Sequence, residues 1–146
     1  MLNHDPYDLD RFIRAQETIF ESVLTELGSG QKRSHWMWFI FPQIEGLGYS
    51  EISRYYSIKS EEEAREYLNH PVLGARLLKC CGILLGIAGK TASDIFGSPD
   101  DVKLKSSMTL FACVSKPESV FARVLEKYFD GKRDNKTEVL FGRRYQ

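Results

Sequence analysis

The spacing of apolar residues near the start of the chain constrains its fold more than any other feature. From Leu9 onward, Phe12, Ile13, Gln16, Ile19, Phe20, Val23, Leu24 and Leu27 recur at intervals of three and four, which is the period of one face of an α-helix. Asp8 stands where an N-cap belongs, and Gly28 with Gly30 ends the pattern. The spacing predicts one helix of about five turns.

The same period governs most of the remaining chain. Ser50 to Tyr56 reads as a short helix. Ser60-Glu-Glu-Glu63 matches a capping box, with a hydroxyl at the N-cap and a carboxylate three residues on; that helix should end near Asn69. Pro71 suits the first turn of a core helix carrying Leu73, Leu77, Leu78, Ile83, Leu84 and Ile87 to Gly89. Further helices are expected over Thr91 to Phe96, Asp100 to Ala112, Pro117 to Tyr128 and Thr137 to Phe141, with 142–146 as a tail. Ser34 to Gln43 is continuously aromatic and apolar until Pro42. Such a run is a buried strand or a short buried helix. A helix is preferred, because no partner strand is evident elsewhere. The expected fold is all-α: one compact, irregular bundle of about seven or eight short helices, forming a single domain over residues 1–146. Neither repeats nor a linker divide it.

Composition narrows the function classes. With 42% apolar and 27% charged residues, the chain can bury a core, and global disorder is excluded. Twenty basic and twenty acidic residues leave a formal charge of zero. There is then no general pull toward nucleic acid or an anionic membrane, and neither is an expected partner. Cys80, Cys81 and Cys113 are odd in number and show no CxxC spacing, so they read as buried free thiols rather than a zinc site or disulfide framework. No metal ion or organic cofactor is implied. Met1 to Asp10 is polar, unlike a secretory leader, and no apolar run approaches the ~20 residues of a membrane span. A cytoplasmic location is expected.

The most unusual segment is Gln31-Lys-Arg-Ser-His-Trp-Met-Trp-Phe-Ile-Phe-Pro-Gln43. Aromatic faces beside basic donors suit a nucleotide, with Trp36 or Trp38 stacking on a base and Lys32 meeting phosphate. The alternative is that Trp36, Phe39 and Ile40 anchor the core. Ser34 and Gln43 are further candidates for ligand contact, and His35 is a candidate general acid or base, since imidazole titrates near neutrality. A second polar concentration, Lys103-Leu-Lys-Ser-Ser-Met-Thr109, offers Lys103, Ser106 and Ser107 to an anion if helical. An ordinary helix surface explains it equally well. Gln16 interrupts the first apolar stripe, and a buried carboxamide there needs partners or a ligand. No phosphate loop, GxGxxG, nucleophile elbow or HExxH is present.

Several of these motifs together resemble a bacterial family of unknown function. They are Tyr7-Asp-Leu-Asp-Arg-Phe through Ala15-Gln16, Lys32 to Gln43, Gly46-Leu-Gly48, His70-Pro-Val-Leu-Gly74-Ala-Arg-Leu77, Ile95-Phe-Gly97 and Lys103 to Phe111. The resemblance implies a compact all-α domain. That family often carries a calpastatin label, but calpastatins inhibit through flexible, repeated segments, and this chain is capped and without repeats. The order of Asp10-Arg-Phe-Ile-Arg-Ala-Gln16 and then Asp101-Val-Lys103 ahead of Met108 also looks like NADAR domains, proposed to act on N-glycosidic bonds of ADP-ribose-related compounds. By that likeness Asp10 takes the place of a catalytic acid, Asp here for Glu there, and Lys103 or Lys105 that of a phosphate-binding lysine. The Ser34 to Gln43 motif has no clear counterpart.

Three functions remain open from the sequence. One is an N-glycosyl hydrolase for nucleotide-like substrates, using Asp10 with Lys103 and a stacking tryptophan. Another is a non-catalytic nucleotide-binding module with the same pocket. The third is a protein-interaction domain in which the polar residues only fix helix ends.

Overall fold

The computed structural model describes residues 4–144. These form ten helices in chain order: α1 (Asp10–Glu17), α2 (Phe20–Gly28), α3 (Met37–Ile40), α4 (Glu51–Tyr55), α5 (Glu61–Asn69), α6 (Leu73–Gly86), α7 (Ala92–Phe96), α8 (Asp100–Cys113), α9 (Val120–Phe129) and α10 (Asn135–Arg144). The class is all-α as the periodicity requires, but the helices outnumber the seven or eight expected.

The five-turn helix expected from Leu9 to Leu27 is two helices. A tight turn closed by Ile19 N donating to Gln16 O breaks it, at two β-branched residues, Thr18 and Ile19, of modest helix propensity. The turn lets α1 and α2 point separate faces inward: Arg11, Phe12 and Gln16 from one, Val23, Glu26 and Leu27 from the other. Nor does Asp8 cap α1. It lies in the left-handed region with φ 51°, and the Asp5 carboxylate takes over, accepting from Leu9 N at 2.9 Å and Asp10 N at 3.0 Å.

Ser60 does cap α5, accepting from Glu63 N at 3.0 Å. Glu63 does not complete a reciprocal box, because it is buried and committed elsewhere. One oxygen accepts from Lys59 N at 3.0 Å and the other meets the Arg11 guanidinium at 2.6 Å. The reciprocal capping box instead opens α7, between Thr91 and Asp94.

The 34–43 segment forms a single helical turn, α3. Extended pairing begins just beyond it, at an isolated parallel bridge between Ile44 and Ile58. The core gathers around α6 and α8. From α6 come Leu73, Leu77, Cys80, Cys81 and Leu84; from α8 come Leu104, Met108, Leu110 and Phe111. α8 packs on α7, α9 and α10, and α6 on α2, α5 and α9. Gly74 allows α6 to cross the end of α5, since a Cβ there would lie 2.1 Å from Leu68 O. Helix α10 continues through Gly142 to Arg144; positions 145 and 146 of the expected tail lie outside the described residues. No helix among the described residues is long and apolar enough to cross a membrane.

Candidate functional site

The Lys32–Trp36 segment is shaped by one carboxylate on the buried face of α2. Glu26, 9% exposed, accepts four hydrogen bonds from it. Arg33 N (2.7 Å), Ser34 N (2.9 Å) and Trp36 Nε1 (3.0 Å) donate to Oε1, and Ser34 Oγ (2.7 Å) donates to Oε2. Burial pushes the Glu26 carboxyl upward, but these donors outweigh it and hold it at about 2, below the ordinary 4.5. Ser34 is therefore engaged with Glu26, Trp36 is a core residue at 1% exposure, and His35 stands exposed beside them.

Around this clasp the two expected basic positions come together. Lys32 Nζ lies 2.8 Å from one oxygen of Asp100 and Lys103 Nζ lies 3.4 Å from the other. Lys32 reaches its partner with 7% of its side chain exposed, and its ammonium also sits over the Trp36 ring at 5.1 Å. Lys103 sits over the Trp38 ring at 4.9 Å, a cation–π geometry. The carboxylate at the start of α8 thus links the two sequence motifs, some seventy positions apart.

Trp38 and Lys103 open onto a cleft of about 500 Å³, where Gln43 and Ser106 join them. Four of the residues singled out from the sequence therefore share one cavity. Its apolar walls include Leu47, Tyr49 and Val102, and Asp134 and Lys136 complete the rim. Asp134 is tightly held. Its Oδ2 accepts from Ser106 Oγ at 3.2 Å and Thr137 N at 3.1 Å, and also from Thr137 Oγ1, while its own N–H donates to Thr109 Oγ1 at 2.9 Å. An aromatic wall, two ammonium groups and fixed hydroxyl and carboxylate oxygens form the kind of mixed lining that holds small ligands.

The other candidates lie elsewhere. Gln16 is buried in a closed network: its Nε2 donates to Phe39 O (2.7 Å) and Tyr67 Oη (3.1 Å), and its Oε1 accepts from Arg76 (3.2 Å). Ser107 is fully buried, and its hydroxyl has no hydrogen-bond partner among the described residues. Asp10 is exposed, pairs with Arg14 at 3.1 Å, and lines a separate cavity with Tyr7, Glu66 and His70. The structure does not bring Asp10 into the Trp38–Lys103 cleft. Burial pushes the Cys80 thiol up to about 12 and Cys81 well above its ordinary value, which deprives both of thiolate character near neutrality. Among the described residues, no group of three or more His, Cys, Asp or Glu side chains is placed to hold a metal ion.

Sequence reading missed Glu26, Asp100, Asp134 and Tyr49. Glu26 had a signal: it neighbours Leu27 and follows Val23 by three, so it shares the inward face of α2. Asp134, three residues before Thr137 at a helix start, had the pattern of an N-cap. Asp100 and Tyr49 had none, because what they do depends on segments remote in sequence.

The model of a protein family of unknown function, DUF1810, matches residues 6–141. The crystal structure at 1.38 Å of the conserved hypothetical protein Rv1873 from Mycobacterium tuberculosis is similar over 94% of this chain and 99% of that one, with 48% identity and a TM-score of 0.93. No curated protein matches the chain.

Proposed function

The chain belongs to the DUF1810 family of proteins of unknown function, and within that family we propose that it binds a small, ring-bearing anion of nucleotide type. The site is the cleft between the 43–53 segment and the first turns of α8. The observation that carries this reading is the meeting of Trp38, Gln43, Lys103 and Ser106 with Asp134 and Lys136 in one cavity. A ring packs on aromatic and aliphatic walls, phosphate meets Lys103 and Lys136, and sugar hydroxyls find the carboxylate and carboxamide oxygens. Calorimetry with AMP, adenosine and inorganic phosphate tests it. AMP should bind, and adenosine and phosphate should each bind more weakly, because each keeps half the contacts. Lack of AMP binding up to millimolar concentration would end the reading.

Hydrolysis of an N-glycosidic bond is a second reading, favoured by the carboxylate of Asp134 in the same cleft. Activation of water is a role open to such a group. The NADAR-like assignment gives that role to Asp10, in the other cavity. Incubation with NAD and ADP-ribose, with chromatography for released base or ribose, separates the cases. Turnover lost in Asp134→Asn with affinity kept would locate the chemistry in the cleft. The same result for Asp10→Ala would locate it in the other cavity. Intact ligand throughout would leave a binding protein.

A further inference from the structure

Residues 45–57 leave the body of the protein and return to nearly the same place. The two ends are tied by the Ile44–Ile58 bridge, with Glu45 N donating to Ile58 O at 2.9 Å and Ile58 N to Gln43 O at 2.8 Å. On the return side, Tyr56 packs against Phe12 (ring centroids 5.8 Å apart) and Phe39 (5.3 Å). A closed excursion of this length has the form of an Ω-loop.

Its tip is different in kind from its base. Helix α4 contributes no buried residue, and Tyr49, Ile52 and Tyr55 are 76%, 41% and 48% exposed. Yet the tip is braced within itself. The Arg54 guanidinium donates to Tyr49 O through Nε (3.0 Å) and NH2 (2.5 Å), and Ser50 Oγ caps α4 at Ser53 N (3.2 Å). At Gly48 the chain folds so closely on α4 that a Cβ would lie 2.5 Å from Ser53 Oγ. Between this rigid tip and the pinned base stands Gly46, at φ +108°, where side chains other than hydrogen are disfavoured. Both limbs of the tip are anchored: the buried Arg11 guanidinium donates to Tyr55 O at 2.8 Å, Ser57 Oγ donates to Arg54 O at 2.8 Å, and Leu47 packs against the core.

Leu47, Gly48, Tyr49, Ser50 and Ser53 of the tip line the cleft. We propose that this braced tip presents the Tyr49 ring to the planar group of the bound ligand, giving the site its second aromatic surface beside Trp38. This rests on the binding reading of the cleft given above. It assigns the large exposed area of Tyr49 a use: the ring is open in the free protein and becomes covered when ligand arrives. Stacking also makes Tyr49 a specificity-determining residue, favouring planar rings over aliphatic anions of the same charge.

Two measurements on the intact protein test this role of Tyr49. Saturating AMP should slow hydrogen exchange at the amides of 48–50, which border the ligand, and leave Ile58 unchanged. By titration, Tyr49→Ala should weaken AMP binding about tenfold with an unchanged melting temperature, and Tyr49→Phe should bind as wild type, since stacking needs the ring and not the hydroxyl. If AMP binds and exchange at 48–50 does not change, the ligand does not reach Tyr49 and the proposal falls. If Tyr49→Ala binds AMP normally while Trp38→Ala does not, the role of Tyr49 falls and the cleft stands. If the wild type does not bind AMP, both fall together.

Discussion

The indole Nε1 of Trp36 donates to Glu26 Oε1 at 3.0 Å, and both groups are buried. This bond ties the conspicuous aromatic motif to an acid on the preceding helix. It explains why Ser34 and Trp36 occur together: their side chains, with the backbone N–H groups of residues 33 and 34, donate to one carboxylate. The carboxyl sits at about 2 in the folded protein against 4.5 as its ordinary value. Its stabilisation is thus present in full above the unfolded value and is lost as pH falls through the folded one. Glu26→Gln should be less stable than wild type at neutral pH by roughly 3 kcal/mol. The gap should close between about pH 5 and pH 2, because only the wild type loses this contribution there. Paired denaturation curves across that range check it, and a gap that does not change with pH would contradict it.

Trp36 is nearly fully enclosed, meeting Phe41 at 6.2 Å and Phe96 at 6.4 Å between ring centroids. Trp36→Ala should cost about 3–5 kcal/mol, seen as a lower urea midpoint. Trp38, only half-buried and lining the cleft, should cost less in stability on the same change. Equal losses at the two positions would contradict this difference.

Arg11 and Glu63 are both almost completely buried, at 4% and 2% exposure. Besides its carboxylate partner at 2.6 Å, the guanidinium donates to the carbonyls of Tyr7, Asp8, Tyr55 and Ser57. Arg11→Met leaves a buried anion and four carbonyls without this donor, and should cost about 3–5 kcal/mol. The double change with Glu63→Met should recover only part of that loss, because the carbonyls stay unsatisfied. A double-mutant cycle measured by chemical denaturation reads both terms.

Ser107 tests the opposite situation. Its hydroxyl is buried in α8 with no partner among the described residues, so Ser107→Ala removes an uncompensated polar group. The variant should be as stable as the wild type or more so by about 1 kcal/mol. A loss beyond about 1 kcal/mol would show that the hydroxyl has a partner, such as a buried water.

Much of the architecture was readable because helices announce themselves locally. The apolar period, the cap at Ser60 and the stops at Gly28 and Gly97 all lie within a few residues of what they control. The errors were also local signals overruled at a distance. Glu63 looked like the second half of a capping box, but Arg11 claims it from across the fold. The break at Thr18 and Ile19 lets α1 hold Gln16 against Phe39 O and Tyr67 Oη while α2 turns Val23 and Leu27 inward.

The sequence by itself determined the all-α class, the positions of most helices and the residue types from which a polar cleft could be built. Periodicity and capping act over one or two turns, and those are physical preferences each segment carries with it. Only the tertiary structure decided how the candidates sort. It placed Trp38, Gln43, Lys103 and Ser106 on one cleft, turned Trp36 and Gln16 inward, and left Asp10 on another face. It also set Asp134 on that cleft and paired Asp100 with Lys32 and Lys103, which no local pattern foretells. Side chains dozens of residues apart become neighbours only through the packing of whole helices, and that packing depends on the combined shape of the core rather than on any one segment.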